Sequence, residues 1–322
     1  MINQVNHRLE NIDFIATYSD KKIQQRNRFL RLCLTNPVGW VAGGLYLINE
    51  LFKSVVLGLG RSTLFGSNKE RKLRNVSLLE GFITEMKGKK LNLQSPDGRI
   101  LEAMYIQAQD TPLNTTQQKT ILLFTGSHRP YEFDASAMAK TYQTKGYNVL
   151  CINYGGFGLS KGSPSQSSIE LDAETAYQYI KESYPGTEIY AHGYSLGSYP
   201  ATYLGKSYNL NKIIIDRGFS KLSNVVKDEA TKLFGRTAGR ILELLVKYVG
   251  SLDNTKNIKT ASSKFLFARA DNDKTMLQYH VNLLKDQSKD SDILDFQGSH
   301  LHTIDSVWFQ DNIKFWEWLA NQ

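Results

Sequence analysis

Gly193-Tyr194-Ser195-Leu196-Gly197 sets a serine between two glycines, straight after the apolar run Glu188-Ile189-Tyr190-Ala191 and before helix-compatible residues. As a bare Gly-x-Ser-x-Gly pattern it says little. At a strand-turn-helix junction it describes a nucleophile elbow, which holds a serine on a strained turn above a sheet. A serine alcohol attacks a carbonyl only when a base takes its proton. Gly298-Ser299-His300-Leu301-His302 follows the strand-like Ile293-Leu294-Asp295-Phe296 and supplies two histidines. Gly-x-His suits a short loop that lifts an imidazole over the sheet, so His300 is the first choice and His302 the alternative. Read instead as a metal pair, His-x-His has no cluster of Cys, His or carboxylates to complete it. No metal is expected.

The base needs an orienting acid. Lys264-Phe265-Leu266-Phe267-Ala268 runs into Arg269-Ala270-Asp271-Asn272-Asp273, with Asp271 the first candidate and Asp273 the second. Whichever carboxylate is not used would serve as a loop residue or helix cap. Ser195, Asp271 and His300 then stand in the chain order serine, acid, histidine. An oxyanion hole needs two backbone N–H donors. Leu196, after the serine, is one; Ser127, in Gly126-Ser127-His128 after the strand Thr120–Thr125, is the other. His128 and Arg129 would line the entrance or face water. Tyr154-Gly155-Gly156-Phe157-Gly158-Leu159-Ser160-Lys161-Gly162 has the look of a nucleotide loop. Lys161 stands where Gly-x-Gly-x-x-Gly needs its third glycine, and no Gly-Lys-Ser/Thr follows. No cofactor is expected.

These residues must be carried by a mostly parallel sheet. From about residue 82 the alternation of Lys90–Gln94 and Arg99–Gln107 around Pro96-Asp97-Gly98 predicts a hairpin. Strands are expected at 120–125, 148–154, 187–192, 212–216, 264–268 and 292–296. Helices are expected at 135–145, from a capping box at Ser167-Ser168-Ile169-Glu170, after Ser195, over 220–250, at 274–284 and at 304–319. Short apolar strands alternating with helices imply helices on both faces of the sheet. Residues 81–322 therefore read as one α/β domain with a small helical cap at about 220–256. Leu233, Phe234, Ile241, Leu244, Leu245 and Val249 are candidates for its apolar walls.

Residues 1–80 differ in texture. The 322-residue chain carries a net charge of +8, and all of it lies at the start: 15 Lys/Arg against 7 Asp/Glu in residues 1–90, 24 against 24 in the rest. Residues 1–35 read as a basic helical segment. Leu45, Ile48, Phe52, Val55, Val56 and Leu59 fall on one helical face within 37–60, a segment that could pack on the domain, lie on a membrane or span it. The extension suits an anionic membrane surface or an acidic protein; no nucleic acid is expected. Met1–Asp20 lacks the basic and apolar regions of a signal peptide. Cys33 and Cys151 read as reduced thiols. An intracellular, cytoplasmic location follows as the expectation, peripheral to a membrane if the extension binds one.

Three stretches together resemble the α/β-hydrolase superfamily over about residues 82–320: the Tyr154–Ser165 loop, the Gly-Tyr-Ser-Leu-Gly elbow, and Asp216-Arg217-Gly218-Phe219-Ser220 at the opening of the cap. They look most like the Bem46-like and α/β-hydrolase-domain-containing serine hydrolases. Three departures stand out: Thr125-Gly126 in place of His-Gly, Ala268 in place of a glycine before the acid, and Lys274 and Thr275 in place of small apolar residues and proline after it. The resemblance implies cleavage of a carboxylic ester or thioester through an acyl-enzyme. A serine peptidase on the same triad, or a non-catalytic binding module on the same fold, are the alternatives.

Overall fold

The computed structural model describes residues 81, 84–109, 118–127, 135–249, 252–300 and 307–321. The basic extension and its 37–60 segment lie outside these residues, as do His128, Arg129 and His302. Eight strands form one sheet: β1 (Lys89–Gln94), β2 (Ile100–Ile106), β3 (Lys119–Phe124), β4 (Asn148–Ile152), β5 (Glu188–Tyr194), β6 (Lys212–Asp216), β7 (Lys264–Ala270) and β8 (Ser291–Phe296). Their order across the sheet is β1-β2-β4-β3-β5-β6-β7-β8. The β1-β2 hairpin runs antiparallel, β2 pairs antiparallel with β4, and every later pairing is parallel. Gly98 turns the hairpin at φ +82°, donating to the Ser95 carbonyl at 2.8 Å. β4 (NVLCI) and β6 (KIIID) are buried at every position. That is why they read as apolar runs rather than alternating ones.

Helices cover both faces. On one face α1 (Ser136–Thr144) and α8 (Ile313–Ala320) bring Met138, Tyr142, Phe315 and Leu319 against Ile121, Leu123, Val149, Cys151 and Ile214. On the other lie α2 (Gln166–Ser183), α3 (Ser198–Ser207) and α6 (Asn254–Thr260), and α3 approaches so closely that a Cβ on Gly205 would stand 2.3 Å from Ile213 Cδ1. Between β6 and α6 the chain rises into a cap, α4 (Leu222–Phe234) and α5 (Arg236–Val249), broken at Gly235 with φ +86°. The cap is closed at its base: Leu222 N donates to Leu252 O at 2.9 Å, and Lys221 Nζ meets Asp253 at 2.9 Å. α7 (Tyr279–Lys285) precedes β8.

The expected mixed sheet, two-sided helices and cap are present, and several boundaries move for local reasons. α2 is capped by Ser165, not Ser167: Ser165 Oγ accepts from Ser168 N and Ser168 Oγ accepts from Ser165 N. β7 runs to Ala270 rather than 268, because β8 pairs with it as far as Phe296. The helix expected from Lys274 begins at Tyr279; in the turn before it, the Thr275 and Met276 amides donate to Asp273. The closing helix begins at Ile313, where Asn312 caps it. Of the proposed cap walls, Ile241 and Leu244 are exposed, at 52% and 65%; the side chains of Leu233, Phe234, Leu245 and Val249 lie outside the described set.

The Gly155–Gly162 loop is filled by protein rather than shaped for a phosphate. A Cβ on Gly155 would lie 2.2 Å from Arg99 Nη1, and one on Gly158 2.3 Å from Asn153 Nδ2. Arg99 joins Asp172 at 2.7 Å, and Asp172 also accepts from Gly155 N at 2.8 Å. These glycines let the hairpin turn pack against the loop and α2.

Ser220, His280 and Asp228 form a second, sealed chain of the same three residue types. His280 Nδ1 accepts from Ser220 N at 3.2 Å and lies 2.9 Å from Ser220 Oγ, while Nε2 faces Asp228 at 3.4 Å. Ser220 and His280 have no exposure, so no substrate reaches them. Burial pushes this imidazole down to about 4, against the pull of Asp228. The unfolded chain protonates this side chain below about 6.5, whereas the folded chain refuses the proton until about 4. Its contribution is therefore complete above about pH 6.5 and is lost as pH falls toward 4, on the order of 2–3 kcal/mol. Asp172, which burial raises to about 6, contributes the opposite slope. Thermal melts from pH 4 to 7 on wild type and His280→Gln isolate the histidine, because Asp172 is common to both. The melting temperature of the variant relative to wild type should rise as pH falls from about 6.5 toward 4, because only wild type loses the histidine's contribution; a difference that stays constant with pH would contradict this account.

Candidate active site

The elbow at the end of β5 is a steric construction. Ser195 takes φ +53°, a left-handed conformation that costs an ordinary residue about 1–2 kcal/mol. The flanking glycines explain how it is held. A Cβ on Gly193 would stand 2.2 Å from Gly197 O, and a Cβ on Gly197 would stand 2.0 Å from Phe124 O. A side chain on Gly193 would push the turn off its own strand, and one on Gly197 would push it off β3. Ser198 Oγ donates to Ser195 O at 2.7 Å, and Asn254 Nδ2 donates to Ser198 Oγ at 2.9 Å. α3 begins at Ser198, so its N-terminus lies beside the serine, where a helix favours negative charge.

Ser195 Oγ lies 3.1 Å from His300 Nε2, and His300 Nδ1 lies 2.8 Å from Asp273 Oδ2. An Asp273 carboxylate that accepts a hydrogen bond from Nδ1–H leaves Nε2 unprotonated and able to take the serine proton. Asp273 is fixed from behind: its Oδ1 accepts from Thr275 N and Met276 N, each at 2.8 Å. Ser195 is 7% exposed, so the elbow opens narrowly rather than standing proud of the sheet.

Asp273, then, and not Asp271, stands against His300. Asp271 N donates to Phe296 O at 3.0 Å, and its Oδ1 accepts from Gly298 N at 2.9 Å. The two extra residues of β7 carry Asp271 along the ladder beside β8, so it anchors the start of the histidine loop. The turn that follows swings Asp273 back over it. Of the two oxyanion-donor candidates, Leu196 directly follows the serine. The loop bearing Ser127 reaches the elbow, since a Cβ on Gly126 would lie 3.4 Å from Ser195 Cβ.

Four residues of the site were given no role by the sequence, although Tyr194 and Arg217 stand inside the elbow and the Asp216–Ser220 stretch. Arg217, buried at 2% exposure, donates to Ser299 O at 3.0 Å and His300 O at 3.2 Å. Tyr194 Oη donates to His300 O at 2.6 Å. Asn254 bridges Ser198, Thr202 and the Phe219 carbonyl. Lys232, on α4, donates to Lys274 O at 2.6 Å and ties the cap to the residue after Asp273. Their partners are mostly backbone carbonyls far away in sequence, which leave no pattern to read. Among the described residues no cluster of His, Cys, Asp and Glu could hold a metal.

A cavity of about 720 Å³ opens at the other end of the sheet, lined by Lys119, Lys145, Tyr147 and Trp316 among others. Its two lysines lie over rings, Lys119 on Tyr147 at 5.9 Å and Lys145 on Trp316 at 5.3 Å. It is remote from the serine and carries no part of this chemistry; parallel α/β sheets bind ligands at the carboxyl ends of their strands.

The fold is shared with known proteins. Residues 123–214 match the family model for the alpha/beta hydrolase fold. The chain is 29% identical over 114 residues to the lysophosphatidylserine lipase ABHD12 of Danio rerio, covering 35% of this chain and 28% of that protein. It is 25% identical over 191 residues to protein bem46 of Schizosaccharomyces pombe, covering 58% of this chain and 61% of bem46. A solved alpha-beta hydrolase from Vibrio vulnificus superposes with a TM-score of 0.59 at 20% identity, over 82% of this chain and 88% of that one. The chain thus spans less than two thirds of these two curated relatives, and 3% of a multifunctional-autoprocessing repeats-in-toxin of Vibrio cholerae, which it matches at 30% identity. Its fold is the α/β-hydrolase fold, and its similarity runs to the Bem46-like branch.

The two carboxylates differ sharply in predicted consequence. Asp273→Asn should slow covalent capture of Ser195 by a fluorophosphonate on the order of 10³-fold or more, because the amide presents the wrong partner to Nδ1. Asp271→Asn should stay within about tenfold of wild type. Labelling rates of the two purified variants check this, and equal losses would refute the assignment.

Proposed function

We propose that this α/β-hydrolase-fold chain is a serine hydrolase of carboxylic esters or thioesters, of the lipase, esterase or acyl-protein thioesterase kind. The observation that carries the reading is the continuous chain Ser195 Oγ, His300, Asp273, with spacings of 3.1 and 2.8 Å. His300 Nε2 takes the serine proton as Oγ attacks the acyl carbon, and Asp273 steadies the imidazolium that forms. The Leu196 and Ser127 N–H groups receive the oxyanion, where donors fixed in advance contribute most. His300 protonates the departing alkoxide or thiolate. Water, activated by the same imidazole, then releases the acyl group. Ser195→Ala should abolish fluorophosphonate labelling and hydrolysis of short-chain aryl esters. Activity surviving in that variant would remove Ser195 from the mechanism.

The lipase relative supports an acyl chain as the cleaved group, and the basic residues 1–80 suit an anionic lipid surface as the place of action. No helix among the described residues is long and apolar enough to cross a membrane. Full-length protein should sediment with vesicles containing phosphatidylserine and release from them as salt is raised. Protein lacking residues 1–80 should stay in solution; equal sedimentation of both would discard the role of the extension.

A further inference from the structure

We infer that Arg217 is a positioning residue for the histidine of this site: its guanidinium clamps the backbone of the loop bearing His300 to the end of β6 and to the elbow strand. The inference rests on the serine-hydrolase reading for its effect on turnover, but the clamp itself is a property of the fold.

Arg217 follows β6 directly and takes φ +49°, as unfavourable for arginine as Ser195's turn is for serine. Such a conformation persists where surrounding contacts over-determine it. Here they do. Nε and Nη2 donate to the two oxygens of Asp216 at 2.8 and 2.9 Å, a fork-to-fork pair. Nη1 points the other way, to the carbonyls of Ser299 and His300. The cation lies between two rings, 4.8 Å from the centroid of Tyr194 and 5.1 Å from that of Phe296. Tyr194 precedes the nucleophile, and its hydroxyl donates to the same His300 carbonyl. Asp216 is anchored in turn by Trp308 Nε1 at 3.0 Å and faces His192 Nε2 at 3.5 Å.

The division of labour is clear. Asp273 holds the imidazole ring of His300; Arg217 and Tyr194 hold its main chain. The loop begins at Gly298, φ +153°, which has no side chain to fix it. Asp271 and Asn272 N hold Gly298 itself, at the start of the loop; beyond it, Arg217 and Tyr194 reach the Ser299 and His300 carbonyls, next to the ring that must stay in reach of Ser195 Oγ. A buried guanidinium is costly unless its hydrogen bonds are made. The same requirement that keeps Arg217 paired therefore keeps the loop in place. Lysine cannot substitute in full, because one ammonium cannot serve the Asp216 fork and two carbonyls together.

The test uses Arg217→Gly in the full chain, since glycine accepts the left-handed backbone and leaves a cavity shaped for a guanidinium. Aryl-ester kcat should fall on the order of 10²-fold with KM within about threefold, the scale of a misplaced catalytic group. Amide hydrogen exchange over residues 297–300 should speed up while the strands stay protected. Millimolar ethylguanidinium should partly restore both readouts. Wild-type kcat with unchanged exchange overturns the inference, as does a loss that ethylguanidinium does not restore while exchange rises across the whole sheet. If Arg217→Gly does not fold, Arg217→Lys and Tyr194→Phe carry the test, and wild-type kcat and loop exchange in both overturn it. Wild-type protein that cleaves no ester but loses loop protection on Arg217→Gly would end the serine-hydrolase reading and leave the clamp standing.

Discussion

The close packing of the elbow turn, on its own strand at Gly193 and on β3 at Gly197, is the constraint on which the site depends. Gly193 and Gly197 bring backbone against backbone at distances no side chain could share, and that contact holds Ser195 in its left-handed turn. Once the turn is fixed, α3 must start beneath it, Gly126 must pass beside Ser195, and the serine hydroxyl can point only toward the carboxyl end of the sheet. The parallel order of β3, β5, β6, β7 and β8 then brings the loops that follow these strands to that same edge.

Around the elbow the protein secures loops with buried polar groups instead of apolar packing. Asp216 and Arg217 neutralise one another and use their remaining capacity on Trp308 and on the histidine loop. Asn254 and Ser198 tie the elbow to the far end of the cap. Apolar contacts are non-directional and would let loops slide; hydrogen bonds fix atoms. The two Ser-His-Asp constellations make the same distinction. At Ser195 the chain of bonds ends at a slightly exposed hydroxyl. At Ser220 it is closed by Asn224 Nδ2, which donates to the hydroxyl at 3.0 Å, and the group is structural.

Much of this was legible in the sequence. Periodicity and turn residues gave the hairpin, the central strands and the cap, because burial on both faces writes itself as apolar runs. The elbow was legible because its steric demand is local, two glycines around one serine. The choice between Asp271 and Asp273 was not, because it turns on where β7 stops pairing with β8, and that is set by a neighbour 26 residues away, Phe296 opposite Ala270.

By itself, then, the chain's own order of residues determined the α/β architecture, and it singled out Ser195 as the candidate nucleophile and His300 as the favoured base, each through short-range pattern. Tertiary structure decided which carboxylate meets that base, which glycine-rich loop is packing rather than ligand cradle, and how the histidine loop is held. These choices rest on a buried arginine and on backbone carbonyls contributed by distant segments. Hydrogen bonds to carbonyls carry no side-chain signature, so only the folded chain reveals them.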